Sequence, residues 1–129
     1  MIFAAKGSKR SAGVIERQLK NTTVSNHFLI IRIKDDFKNM VLPDYLAFYL
    51  RQKPAMEYFD KCASGSQIPF ISAAALKELE IELPSIEKQK IMAALGELIG
   101  RELELEKQLS ELKKVYYRNS VEQMIRAVK

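Results

Sequence analysis

The sequence from residue 84 to residue 114 predicts one long helix with a coiled-coil stripe, and this stretch constrains the fold more than any other. With Leu95 as an a position, seven of the nine a and d positions are apolar over more than three heptads. These seven are the predicted interface: Ile91, Leu95, Leu98, Leu105, Leu109, Leu112 and Tyr116. The other two are Glu102 and Asn119, polar residues that set the register or indicate a partner. At about 1.5 Å per residue the helix would be roughly 55 Å long, which is longer than a small globular body can cover. We therefore expect it to pack on another helix, in this chain, in a second copy or in a partner.

The chain is long enough for one domain, and we divide it into a body, residues 1–83, and a long helix, residues 84–129. Because no run of about 18 apolar residues occurs, we expect no membrane span. The early charges at the N-terminus argue against a signal peptide. The single cysteine, Cys62, rules out an internal disulfide and fits a reducing cytoplasm.

The net charge of +5 is concentrated at the N-terminal end. Residues 1–34 hold seven basic side chains against one acidic side chain, a net charge of +6. Three of the cations lie in a glycine-containing loop, residues 6–13, whose backbone can approach a phosphate closely. Nucleic acid is the polyanion this pattern favours, although a solvated face or a plain hairpin turn remains open.

The body reads as short strands followed by short helices, which predicts an α+β fold: a small mixed sheet with short helices, followed by one long C-terminal coiled-coil helix. The alternation of large apolar residues in Val24–Lys34 predicts a strand in the interior of the sheet. Three helices are predicted to open at Pro43, at Pro54 and after a capping Ser72. The other predicted strands are Ile2–Ala5, Val14–Ile15 and Leu79–Leu83.

The residue types argue against catalysis. We find no plausible Ser/His/Asp set, no Cys/His pair and no cluster with metal-ligand spacing around His27, the one histidine. We therefore predict a binding module that is not an enzyme, with no catalytic residue, no metal and no cofactor. The aromatic residues between Tyr45 and Phe59 recur at helical spacing, which favours core packing over a stacking surface.

Several segments, in order along nearly the whole chain, resemble the specificity subunit of type I restriction–modification systems. The most diagnostic is Leu79–Ile86 with Lys88, Gln89 and Ile91, followed by the leucine-rich helix. The other matching segments are Ile2–Gly7, Val24–Ile33, Leu42–Leu46 with Tyr49 and Leu50, Ser64–Pro69, and Ile71 with Ser72.

The resemblance implies a subunit whose recognition domains read short half-sites in double-stranded DNA and whose spacer helices set the distance between them. It implies docking of methyltransferase subunits on the helices, with the restriction subunit joining the complex, and no catalysis by the specificity subunit itself. The match covers one helix and part of one recognition domain. We therefore expect a half-subunit that pairs with a second copy or with another specificity fragment, placing two bodies at opposite ends of antiparallel helices.

The predicted DNA contacts come from two loops. Charge and loop position indicate Lys6, Lys9, Arg10 and Arg17. The matched Gly-Ser loop adds Ser66 and Gln67, and a glutamine amide can bond adenine bidentately. For each residue a solvated loop is the alternative. The rival hypothesis for the whole chain is an assembly module that binds partners through the long helix and never reads DNA.

Overall fold

A computed structural model of the chain describes residues 1–6, 11–15, 23–63 and 69–128. In chain order the elements are β1 (Ile2–Ala4), β2 (Ala12–Gly13), β3 (Phe28–Ile30), a 3₁₀ turn (Asp35–Phe37), α1 (Pro43–Leu50), α2 (Lys53–Cys62), α3 (Ala73–Glu78) and α4 (Ile86–Ala127). A small sheet, short helices and one long C-terminal helix confirm the predicted α+β class.

The sheet has the order β2-β1-β3, and both described pairings are antiparallel. Ile2 lies opposite Gly13 on one side and opposite Ile30 on the other, so β1 is the central strand. The return strand of the predicted hairpin is therefore Ala12–Gly13, just before the predicted Val14–Ile15.

The strand predicted over Val24–Lys34 is much shorter than expected. Only Phe28–Ile30 is strand, and within the described residues it pairs with β1 alone. Leu29, Ile31 and Ile33 pack against the core, while Phe28 and Ile30 on the opposite face are 39% and 53% exposed. Apolar residues on both faces of this segment therefore do not mean that both faces are buried, because one face packs on the core and the other is exposed.

The helices α1 and α2 cover the inner face of the sheet. Pro43 opens α1 and Pro54 lies in the first turn of α2, where the missing N–H costs no helical hydrogen bond. The fully buried rings of Phe3 and Phe59 meet with centroids 5.0 Å apart. Leu50 completes this core, and Tyr49 of α1 and Tyr58 of α2 pack against it, in line with the helical spacing.

The segment between α3 and α4 is extended but not a strand, contrary to the prediction for Leu79–Leu83. Leu79 and Ile81 pack on the core, whereas Glu80 and Glu82 face solvent. The alternation therefore shows which side of this segment packs on the core, and within the described residues the segment pairs with no strand. Before this segment, the Ser72 hydroxyl caps α3 as predicted by accepting the Ala75 N–H at 3.1 Å.

The long helix α4 has 42 residues and runs without interruption from Ile86 to Ala127. Glu87 occupies its first turn and Arg126 its last, as the helix dipole favours. The contacts divide the chain into two compact units, Met1–Ala93 and Ala94–Lys129. The first eight residues of α4, which we call the helix root (residues 86–93), therefore belong to the same unit as the body.

Candidate nucleic-acid and helix-pairing surfaces

The predicted interface of α4 is exposed to solvent along its whole length. All seven residues are between 52% and 68% exposed: Ile91, Leu95, Leu98, Leu105, Leu109, Leu112 and Tyr116. We call this row the seam. A row of solvent-exposed leucines on one side of a helix is a large apolar surface whose burial would be favourable. The seam is therefore available to a second helix.

An open depression lies along the seam. It is lined by Leu98, Arg101, Glu102, Leu105, Glu106 and Leu109, and the first four stand at i, i+3, i+4 and i+7 spacing. Four residues in this arrangement form the hole that receives a side chain from a facing helix in a coiled coil. The polar a position, Glu102, forms one wall of that hole. A facing residue that donates a hydrogen bond or carries a positive charge would fit it best.

A second apolar row follows near the C-terminal end of α4, where the sequence changes phase. Tyr117, Val121, Met124 and Ile125 are all exposed. The rings of Tyr116 and Tyr117 touch edge to face, with centroids 5.7 Å apart, and link this row to the seam. The helix continues through both rows, so its last turns offer apolar surface in a new direction.

The helix root is tied to the body by a glutamine whose role the sequence did not reveal. Gln89 is 0% exposed, and its side-chain oxygen accepts the Leu42 N–H at 2.9 Å. Its side-chain nitrogen donates to the carbonyl oxygens of Met40 and Pro84, each at 2.8 Å. One amide therefore satisfies three backbone groups, two of them just before α1. The sequence analysis named Gln89 only as part of the segment that resembles the specificity subunit, which gave no indication of these hydrogen bonds.

Two tyrosine hydroxyls also hydrogen-bond backbone groups, here in the part of the chain between α2 and α4. The Tyr45 hydroxyl donates to the Glu82 carbonyl at 2.6 Å, and the Tyr58 hydroxyl donates to the Ala75 carbonyl at 2.9 Å. Burial raises the pKa of Tyr45 above its ordinary value of 10.0, with smaller contributions from Tyr49 and Glu82. At neutral pH the Tyr45 phenol is therefore protonated and able to donate.

Of the predicted DNA-contacting residues, only Lys6 lies within the described part of the chain. It is half-buried, pairs with Phe70 through an isolated antiparallel bridge, and its ammonium nitrogen lies 5.9 Å from the Phe70 ring centroid. The other five, Lys9, Arg10, Arg17, Ser66 and Gln67, lie outside the described residues. The bridge nevertheless places Lys6, the first residue of the predicted loop 6–13, beside Phe70, which follows the matched loop Ser64–Pro69.

The outer face of β3 is a surface that the sequence analysis missed. Phe28 and Ile30 of β3, and Arg32 and Lys34 just after it, alternate with core-facing residues and are all exposed. Outward positions of a one-sided antiparallel sheet are ordinarily polar. Here two of the four are large and apolar, and the other two are cationic.

The described residues contain no group of three or more His, Cys, Asp or Glu side chains that could hold a metal ion. Among the same residues, no helix is long and apolar enough to cross a membrane.

Comparison with known proteins identifies the family. A family model for the type I restriction modification DNA specificity domain matches residues 5–114. The type I restriction enzyme MjaIX specificity subunit of Methanocaldococcus jannaschii is 31% identical over 75 residues, which are 58% of this chain and 17% of that relative. The chain thus spans well under two thirds of the relative's length. Because the family match covers the body and most of α4, the chain belongs to the family of type I restriction–modification DNA specificity domains.

Proposed function

We propose that this chain is a DNA-specificity subunit, or half-subunit, of a type I restriction–modification complex. The family match, which runs through the body and most of α4, is the observation that carries this proposal. In this account residues 1–83 act as part of a target-recognition domain and residues 84–129 as the spacer helix. The chain works in the cytoplasm, binds no cofactor and catalyses nothing, since methylation and cleavage belong to its partner subunits.

The body binds double-stranded DNA in this proposal. Lys6, Lys9, Arg10 and Arg17 contact phosphates, because cationic side chains next to glycine-rich backbone suit the duplex exterior. Ser66 and Gln67 face base edges, where Gln67 has the donor and acceptor that adenine requires. The bridge between Lys6 and Phe70 supports a common surface for both loops.

The helix α4 docks a methyltransferase subunit or a second copy of the chain, and the restriction subunit joins that assembly. The exposed seam supports this role, because it offers seven apolar residues in coiled-coil spacing. Two copies related by a two-fold axis would place one body at each end of an antiparallel helix pair.

A second candidate function is an assembly module that uses α4 alone and never reads DNA. The observation that favours it is the exposed seam itself, whose seven apolar residues in coiled-coil spacing could bind a partner helix without any contact to DNA.

Titration of a random-sequence duplex with the full chain over a salt series separates the two candidates. If four cations contact phosphates, the logarithm of the binding constant should fall with the logarithm of salt at a slope of about −3.6. Absence of binding at low salt by a chain that still self-associates would favour the assembly module and contradict the DNA-specificity proposal.

A further inference from the structure

The seam contains two polar residues that pairing would enclose. Glu102 stands at an a position and Asn119 at a d position, and both side chains are exposed in the single chain. An ionised carboxylate or an amide that loses water without gaining a partner costs free energy. A pairing register in which these two side chains meet each other is therefore favoured over a register in which each meets a leucine.

A second copy of this chain offers that register. In an antiparallel pair of helices each a position faces a d position, so Glu102 of one copy can face Asn119 of the other. The amide nitrogen of Asn119 then donates to the carboxylate of Glu102, and the two-fold axis makes the contact twice. We call this arrangement the Glu102–Asn119 register.

The same register pairs the centre of the seam through apolar residues. Between the two polar contacts, Leu105 faces Tyr116 and Leu109 faces Leu112. The overlap runs from residue 94 to residue 127, so it begins where the second compact unit begins and ends where α4 ends. Ile91 in the helix root lies outside it.

The charges beside the seam also match in this register. Flanking residues of an antiparallel pair meet e to e and g to g, which brings Glu106 opposite Lys113 and Arg101 opposite Glu122. Each contact joins opposite charges, and all four side chains are exposed in the single chain. Arg101 and Glu106 line the depression on the seam together with Glu102. Opposite charges at e and g positions favour one pairing over others.

Other registers lose these matches. A shift of one heptad brings either Glu106 or Lys113 of the two copies face to face, depending on its direction, and an in-register parallel pair does the same for Glu102. A shift of two heptads toward a longer overlap makes more apolar contacts, but it sets Glu102 against Leu105 in both halves. An ion enclosed without a partner costs more than those contacts add, because long polar side chains still cover the outer leucines in the Glu102–Asn119 register.

We propose that α4 pairs with a second copy in the Glu102–Asn119 register, and that these two residues, with the four flanking charges, select it. The antiparallel pairing of two copies belongs to the proposed function, on which this inference rests. The register and the residues that select it are the further step. They involve only the second compact unit.

Spin labels on the full chain measure the register. Cys62→Ser removes the native thiol, and a single nitroxide is attached at Glu97→Cys or at Arg118→Cys. Both positions are c positions on the side away from the seam, so the lateral part of the label-to-label distance is alike for the two. Along the helix axis, at about 1.5 Å per residue, the labels should lie about 40 Å apart at residue 97 and about 22 Å apart at residue 118.

Pulsed dipolar spectroscopy should therefore give a distance at residue 97 that is longer by about 18 Å in its axial part. Nearly equal distances, or a longer distance at residue 118, would overturn the register and leave the pairing of two copies standing. Equally short distances would indicate a parallel pair and would overturn both. Absence of any distance between labels at every concentration would also overturn both, whereas DNA binding is tested separately by the salt series.

The two polar seam residues are tested in the labelled chain. Glu102→Leu with Asn119→Leu should still pair, but the distance at residue 97 should spread by about 20 Å toward shorter values, because the two-heptad shift no longer encloses an ion. Glu104→Leu with Ser110→Leu is the matched control, since it makes two leucines at outward positions, and it should keep one distance. An unchanged single distance in the seam variant would overturn the selecting role of Glu102 and Asn119.

A charge exchange tests the flanking residues by sedimentation velocity. Lys113→Glu should weaken the dimer dissociation constant about tenfold more than Lys107→Glu, which makes the same charge change at an outward position. Adding Glu106→Lys to Lys113→Glu restores the net charge and the opposite-charge contacts, so the dissociation constant should return to within about twofold of the wild type. A double variant that pairs as weakly as Lys113→Glu would show that these residues do not face each other and would overturn the register.

Discussion

The seam of α4 allows a quantitative prediction for a double substitution, Leu98→Glu with Leu105→Glu. The two leucines are 65% and 56% exposed in the single chain, so pairing would cover more than half of each. Complete burial of a leucine contributes about 1.5–3 kcal/mol, so covering the exposed part contributes about 1–2 kcal/mol. A pair of chains loses four such contributions, about 4–7 kcal/mol, which weakens the dissociation constant on the order of a thousandfold to a hundred-thousandfold.

Sedimentation velocity over a range of concentrations measures this effect. The body should be unaffected, because both leucines lie in the second unit, and its thermal unfolding serves as an internal check. The control is Gly100→Glu with Ser110→Glu, which adds the same two charges away from the seam; a side chain at Gly100 meets nothing within 4 Å. If the seam variant associates as tightly as the control, or if the wild type stays monomeric at every concentration, the seam does not hold two chains together.

Four further predictions concern the body and its loops. Gln89→Met should lower the free energy of unfolding by about 2–4 kcal/mol in denaturant titration, because three backbone groups lose their partner; a change under about 0.5 kcal/mol would contradict this. Phe59→Ala should cost about 3–5 kcal/mol in the same assay, since the ring is fully buried, and a smaller loss would mean that the core is not centred there. The raised pKa of Tyr45 means that the folded state holds the phenol proton more tightly than the unfolded state, so the free energy of unfolding should fall as pH rises through about 10. Tyr45→Phe should make this fall with pH less steep. If the pH dependence of stability is unchanged in Tyr45→Phe, Tyr45 is not its cause. Charge reversal at Lys9 and Arg10 should weaken binding to every duplex and reduce the salt slope by about 2, whereas an unchanged slope would exclude both residues from the interface.

Periodicity in the sequence predicted the elements whose form depends on local spacing. The heptads of α4 and the proline starts of α1 and α2 needed no tertiary information, because helix formation and capping are decided within a few residues. Ser72 is a further example, since its hydroxyl bonds an amide three residues away.

The errors arose where an element's state depends on its neighbours in space. An apolar alternation predicts which side of a segment faces the core, but it does not predict whether another strand lies beside that segment. The alternation therefore did not reveal that Leu79–Leu83 is unpaired or that Phe28–Ile30 lies at the edge of the described sheet. The hydrogen-bonding role of Gln89 could not be predicted for the same reason, although the residue belongs to the segment that carries the family resemblance. Its partners Met40 and Leu42 lie almost fifty residues away in sequence, and no local spacing connects them to it.

The central claim is that this chain reads DNA as a pair joined through α4. Selection of bound duplexes from a fully randomised pool, with the mass of the chain in solution determined on the same sample, tests it most directly. We expect a dimeric mass and enrichment of two related half-sites at one fixed spacing. A sample that binds duplexes without enriching any sequence, or binds none, would contradict it.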